Sequence, residues 1–432
     1  MEPRGEHPYR GLIGSSIALV VVAGALGVRV WDEETVSEGP TTTVTVSVTG
    51  TASTTSTSVP ATTVPAPTYP EGLLPVPEDV EMPRSEQFAG VQVRVEPVLD
   101  IANLTGIVWS VRHESYYAIT QDGMVLRIPE ALDTSTVVLD LTARVTPLAP
   151  NSERGLLGIA FDPRDGRMFL YFTDVAGDTN VVSYALVDGV PDVASERLVL
   201  TQEQPGPGHK AGDLNFDAAG RLYVGLGDGG GSRGRDAQDY STMLGSIIRI
   251  VPRLDGPGYD VPPDNPFVDR PDVAPELWVK GLRNPWQFSI NAANGDIWLG
   301  DVGENDTEEV NRIPAGTSGQ NFGWFFFEGE ARRDTPESIP ADAAFTLPVY
   351  AYPHTIGPAV IGGVIYHGAA LPSVRGAYVF ADMTGLLFIM GRDTAVRLDM
   401  RIKGTLTSFA ETPERELLIT SLRGGLMRIV AG

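Results

Sequence analysis

Cysteine is absent from the 432 residues. That excludes disulfides, thiolate nucleophiles, Cys-ligated zinc and iron–sulfur clusters. Histidine is scarce, with 5 in the chain, and His7, His113, His354 and His367 are scattered, which argues against a His-based zinc centre. No Gly-x-Ser-x-Gly elbow, Walker loop or dinucleotide fingerprint occurs, so serine hydrolysis and nucleotide binding have no motif behind them. Positive charge is also short: 32 Lys and Arg stand against 55 Asp and Glu, for a net charge of −23. Nucleic acid and anionic membrane surfaces are therefore poor partners.

Along the chain, three segments differ in composition. Gly11 to Val28 is uncharged and apolar, about 18 residues long and near the length that spans a bilayer. Arg4 and Arg10 precede it, and Asp32, Glu33, Glu34 and Glu38 follow. The asymmetry predicts a cytoplasmic tail and signal-anchor helix over residues 1–30, in the cell membrane as a single pass with the remainder outside. Cleavage near Ala23-Gly24-Ala25 would instead give a secreted protein. Residues 31–85 are rich in Thr, Ser and Pro, a composition that predicts a disordered stalk.

From residue 86 to 432 one phrase recurs, a strand, a short Asp/Gly/Pro turn and an aromatic-rich strand. The second strands read Ser115–Ile119, Gly166–Leu170, Gly220–Val224, Gly295–Leu299, Gly376–Phe380 and Arg415–Ile419. Another short strand follows most of them, as in Ile247-Ile248-Arg249-Ile250 and Leu426-Met427-Arg428-Ile429. Units of three or four short strands cannot bury their own faces and stack radially. The expectation is an all-β, six-bladed β-propeller. A β-sandwich would supply short strands but not the repeated phrase. Insertions at Gly231–Thr242, Asp255–Ala274 and Glu328–Thr346 would shape a binding face.

Two hairpins carry chemistry. In the third unit, the turn at Asp217–Gly220 sets His209 opposite Asp228, beside Gly227, Gly229 and Gly230. A histidine facing a carboxylate can act as an oriented general base; a surface ion pair is the alternative reading. In the fourth unit, the turn at Asn291–Gly295 brings Arg283 and Asn284 to Asp301. Arg283 offers a fork of donors for carboxylate oxygens, or pairs with Asp301 itself. Asp301-Val302-Gly303-Glu304-Asn305-Asp306-Thr307-Glu308-Glu309 is oxygen-rich and suits a hard cation such as Ca²⁺, or is a solvated acidic loop.

Taken together, Glu153-Arg154-Gly155-Leu156-Leu157-Gly158, His209…Gly227-Asp228-Gly229-Gly230, Asp264-Asn265-Pro266-Phe267, Gly281-Leu282-Arg283-Asn284-Pro285-Trp286, Asp301-Val302-Gly303 and Asn321-Phe322-Gly323-Trp324 resemble the glucose/sorbosone dehydrogenase family, which includes soluble quinoprotein sugar dehydrogenases. The resemblance runs from about residue 88 to the C-terminus. It implies pyrroloquinoline quinone (PQQ) and calcium in an axial funnel, a sugar or alcohol as substrate, and an external electron acceptor. It casts His209 as the base supported by Asp228, and Arg283, Asn284 and Glu153 as cofactor-contacting residues. Asp301, Val302, Gly303, Glu304, Glu308 and Glu309 would bind metal, partly through main-chain carbonyls. The chain departs from the pattern where cofactor-gripping cations are expected: Met383-Thr384 and Thr405-Leu406-Thr407 stand there. Lys210, Arg154, Arg233, Arg235 and Arg423 are possible substitutes. The departures resemble a divergent branch whose propellers are non-catalytic binding modules for a glycan or protein. A calcium-dependent lactonase is a third reading.

Overall fold

The computed structural model describes residues 80–145, 148–149 and 152–432. Six antiparallel sheets form the blades of a propeller, five of them four-stranded and the third five-stranded. Their first strands are Leu104–Ser110, Leu156–Phe161, Leu214–Phe216, Pro285–Ile290, Val360–Ile365 and Leu406–Glu411, in blades 1 to 6. Residues from five of these strands and their immediate approaches (Thr105, Leu157, Asp213, Trp286 and Thr407 among them) line an axial cavity of about 40 Å³. The ring is closed between the two ends of the described chain. Val93–Leu99 pairs antiparallel with Gly425–Ala431 and supplies the outer strand of blade 6.

The aromatic phrases are the second strands, and their burial explains their composition. Ser115–Thr120 and Met168–Thr173 are buried at every position, because a blade is covered on both faces by its neighbours. Tyr117 packs with Phe172, and Phe380 stacks on Phe388 at 4.8 Å. Burying each such side chain contributes roughly 1.5–3 kcal/mol. Outer strands alternate instead, as in Ala395–Arg401, where Arg397 and Asp399 are exposed.

A four-stranded meander places two things at the same end of each blade: the entry to the first strand and the turn between the second and third. This shared end collects Glu153, His209, Arg283 and Asn284, which precede first strands, with Asp228 and Asp301, which follow or end second strands. The other turns lie at the opposite end.

The expected membrane placement is corrected. Among the described residues no helix is long and apolar enough to cross a membrane. Residues 11–28, on which that expectation rested, and the Thr/Ser/Pro-rich segment up to residue 79 lie outside the described residues.

Candidate active site

The first strand of blade 3 begins only at Leu214, so the hairpin is shorter than the turn count predicts. Ahead of it, His209 and Ala211 take positive φ values of 55° and 48°. This left-handed backbone carries a cost of about 1–3 kcal/mol per residue. What it achieves is visible in the contacts. The His209 N–H donates to Glu153 Oε2 at 2.5 Å, and the Ala211 N–H donates to Asn284 Oδ1 at 2.9 Å. Tight packing of backbone on backbone requires glycine at 227, where a Cβ would lie 2.1 Å from the His209 carbonyl oxygen.

His209 and Asp228 meet as the sequence predicts, with Nδ1 2.5 Å from Asp228 Oδ1. Asp228 is 1% exposed and its carboxylate has two further donors. The Gly230 N–H reaches Oδ1 at 2.8 Å, and Trp324 Nε1 reaches Oδ2 at 2.7 Å. Burial works to raise its pKa, yet the His209 and Gly230 hydrogen bonds and the charge of Arg283 hold it below the ordinary carboxylate range. An ionised carboxylate only accepts, so Nδ1 carries the imidazole proton and Nε2 presents its lone pair. The His209 side chain is 19% exposed, so that face is reachable from outside. The pair is a buried, oriented contact rather than a surface ion pair.

Trp324 belongs to the Asn321–Trp324 motif noted in the sequence, but nothing there assigned it a part in the site. It sits in the long connection of blade 4, and two guanidinium groups lie over its ring, with Arg333 4.0 Å and Arg283 5.3 Å from the ring centroid. Such cation–π contacts fix an indole that must aim its N–H at one carboxylate oxygen.

Arg283 does not pair its side chain with Asp301. Its Nη1 donates to the Val302 carbonyl at 2.8 Å. Asp301 instead accepts from the backbone N–H groups of Arg283 (2.9 Å) and Asn284 (2.6 Å), pinning the entry to blade 4. Asn284 then bridges blades 2 and 3 through Glu153 and Ala211. Glu153, Asn284, His209, Asp228 and Arg283 are thus brought together as expected.

The acidic loop is organised differently. Four consecutive N–H groups, of Glu304, Asn305, Asp306 and Thr307, converge on Glu328 Oε1 at 2.8–3.2 Å. Burial raises the Glu328 pKa, but these donors outweigh it and keep the carboxyl below its usual range. Glu304 pairs with Arg333, and Glu308 accepts from the Val360 N–H (2.8 Å) and lies 2.6 Å from His354 Nε2. Glu309 accepts from Gly329 and Asn311. Burial pushes the Asp301 and Glu309 carboxyls up, and repulsion from Asp301 adds to the effect on Glu309. Among the described residues no group of three or more His, Cys, Asp or Glu is gathered to hold a metal. The carboxylates of Asp301, Glu304, Glu308 and Glu309 are instead spent on the hydrogen bonds and ion pairs just described.

Residues 119–405 match the glucose/sorbosone dehydrogenase family. The chain belongs to that family. Among its relatives is the HIPL2 protein of Arabidopsis thaliana, 29% identical over 59% of this chain and 46% of that protein. Mouse Hedgehog-interacting protein is 26% identical over 54% of this chain and 34% of that protein. The chain thus aligns with less than half the length of either. In fold it resembles the PQQ-bound form of an aldose sugar dehydrogenase from Streptomyces coelicolor, with TM-score 0.61 and 19% identity, covering 78% of this chain and 99% of that one.

The family's departures have structural reasons here. Thr384 turns its hydroxyl onto Asp382, and Thr407 turns its own to the Leu104 carbonyl and Thr420. Neither presents a donor to the mouth. Lys210, fully buried, donates Nζ to Gln204 and the Gly206 carbonyl; burial lowers its pKa to about 8. Arg235 pairs with Glu337, and Arg233 and Arg423 are exposed. Arg283 and Arg154 differ from these, because each keeps a buried Nε with no hydrogen-bond partner. Arginine forks of this kind match the carboxylates of a tricarboxylate quinone such as PQQ.

Proposed function

We propose that the propeller is an oxidoreductase for a sugar or related alcohol, with His209 as general base. The supporting observation is the Trp324–Asp228–His209 chain, which fixes the tautomer and leaves Nε2 facing outward. Nε2 accepts the hydroxyl proton of the substrate while the hydrogen on the same carbon leaves with its bonding pair as hydride and C=O forms; a cyclic aldose oxidised at C1 becomes a lactone. Asp228 stabilises the imidazolium that forms, and Glu153 holds the His209 backbone so that the ring cannot withdraw. Bound PQQ, held by Arg283, Arg154 and Asn284, would supply the two-electron acceptor. General-base catalysis of this kind contributes about 10²–10⁴-fold.

The test is titration of the purified protein with PQQ, followed spectroscopically, and then dye reduction with a panel of aldoses. Saturable uptake and sugar-dependent reduction support the reading. Absence of both sinks it.

A second reading has its own support. Thr384 and Thr407 spend their hydroxyls inside the protein, and the Hedgehog-interacting relative is named for binding. On that reading the propeller binds a glycan or protein, and His209→Ala leaves ligand affinity unchanged.

A further inference from the structure

The cavity that this chemistry leaves unused lies at the opposite end of blade 5. It is a cleft of about 180 Å³ between the N-terminal segment and the two far-side turns of that blade. Three arginines line it: Arg84 from the segment, Arg375 from the turn after the first strand, and Arg392 from the turn after the third. Ser373 and Gln87 add neutral polar groups. In a chain of net charge −23, three guanidinium groups around one cleft run against the overall electrostatics.

The local acids do not neutralise them. Glu81 also lines the cleft, but its side chain is 90% exposed and only 3.7 Å from Arg392, a loose and solvent-screened contact. Asp393, next in sequence to Arg392, is committed to the Ser85 N–H and hydroxyl at 2.8 and 3.0 Å. Arg375 is the decisive residue, since its Nε is buried without a hydrogen-bond partner. A buried donor of this kind costs about 1–3 kcal/mol unless something accepts from it. The segment itself is held firmly: Phe88 is buried against Val374 and Ile389, and the Arg392 N–H donates to the Pro83 carbonyl at 3.0 Å.

We propose that this cleft is a second binding site, for a tetrahedral oxyanion, phosphate or sulfate, free or as the monoester of a small sugar. Arginine forks match such oxygens, and the volume exceeds that of a bare ion. The site is independent of the redox reading, because it shares no residue with the His209 end.

Calorimetric titration of the full chain with inorganic phosphate, sulfate, glucose 6-phosphate and glucose tests it. Saturable binding of the anions, none of glucose, and about tenfold weaker binding in Arg375→Gln are expected. Arg392→Gln, a surface change that leaves folding intact, should weaken binding as well, and His209→Ala should not. Tighter binding of glucose 6-phosphate than of phosphate identifies a monoester ligand; equal affinity identifies the free oxyanion. No saturable binding, or binding unchanged in both arginine variants, overturns the proposal.

Discussion

His209 illustrates how much the site depends on single atoms. Its ring is aimed by one carboxylate, that carboxylate by one indole N–H, and its backbone by one glutamate oxygen. Trp324→Phe keeps an aromatic ring but removes the N–H with the five-membered ring, so Asp228 loses a donor to Oδ2. The account expects turnover to fall about tenfold to a hundredfold with KM nearly unchanged, measured by steady-state dye reduction. Gly227→Ala should be at least as severe. Its Cβ would sit 2.1 Å from the His209 carbonyl and displace the strained loop, while circular dichroism stays close to wild type. Equal activity in this variant would show that the loop position does not matter. The pairing of His209 with Asp228 was legible because counting residues from a turn locates a partner nearby in sequence. Trp324 was not, since it reaches Asp228 from 96 residues away through an insertion without strand periodicity. Arg283 was half legible: its neighbourhood followed from the second hairpin, but its choice of the Val302 carbonyl over Asp301 depends on backbone donors that composition does not reveal.

At the scale of elements, the loops are held by buried charges placed under them. Glu328 gathers four N–H groups of the Glu304–Thr307 loop, and that loop carries the Val302 carbonyl that holds Arg283. Glu328→Ala should cost about 2–3 kcal/mol in urea unfolding and reduce activity through Arg283, whereas Glu328→Gln, which still accepts, should retain most of both. Lys280 does the same for the insertion after Asp228, donating Nζ to the Thr242 and Leu244 carbonyls at 2.9 and 2.5 Å. Burial lowers its pKa to about 7, against an unfolded value of about 10.4. Between these values the unfolded state binds more protons, so this group makes the fold more stable as pH rises from about 7 to about 10. Lys280→Met should flatten that slope, read from urea midpoints at the two ends of the range. The sequence showed where these insertions begin and end. It did not show their anchors, because a single buried Glu or Lys looks like any other charge in a chain so rich in acids.

For the whole molecule, the six recurring strand phrases translate directly into six second strands, because aromatic and β-branched residues are needed wherever a strand is covered on both faces. Ring closure was not readable, since Val93–Leu99 and Gly425–Ala431 lie at opposite ends of the described chain and share no motif. Removing residues 80–99 should leave an unpaired edge on blade 6, with loss of cooperative thermal unfolding and concentration-dependent aggregation by light scattering. The assembled ring brings separate blade ends together at one mouth, where the proposed function sets His209 as the base. The most direct measurement is the rate of dye reduction at saturating aldose, with PQQ supplied, for wild type and His209→Ala. The account predicts a loss of about a thousandfold in the variant with PQQ uptake intact. Equal rates in the two proteins would contradict it.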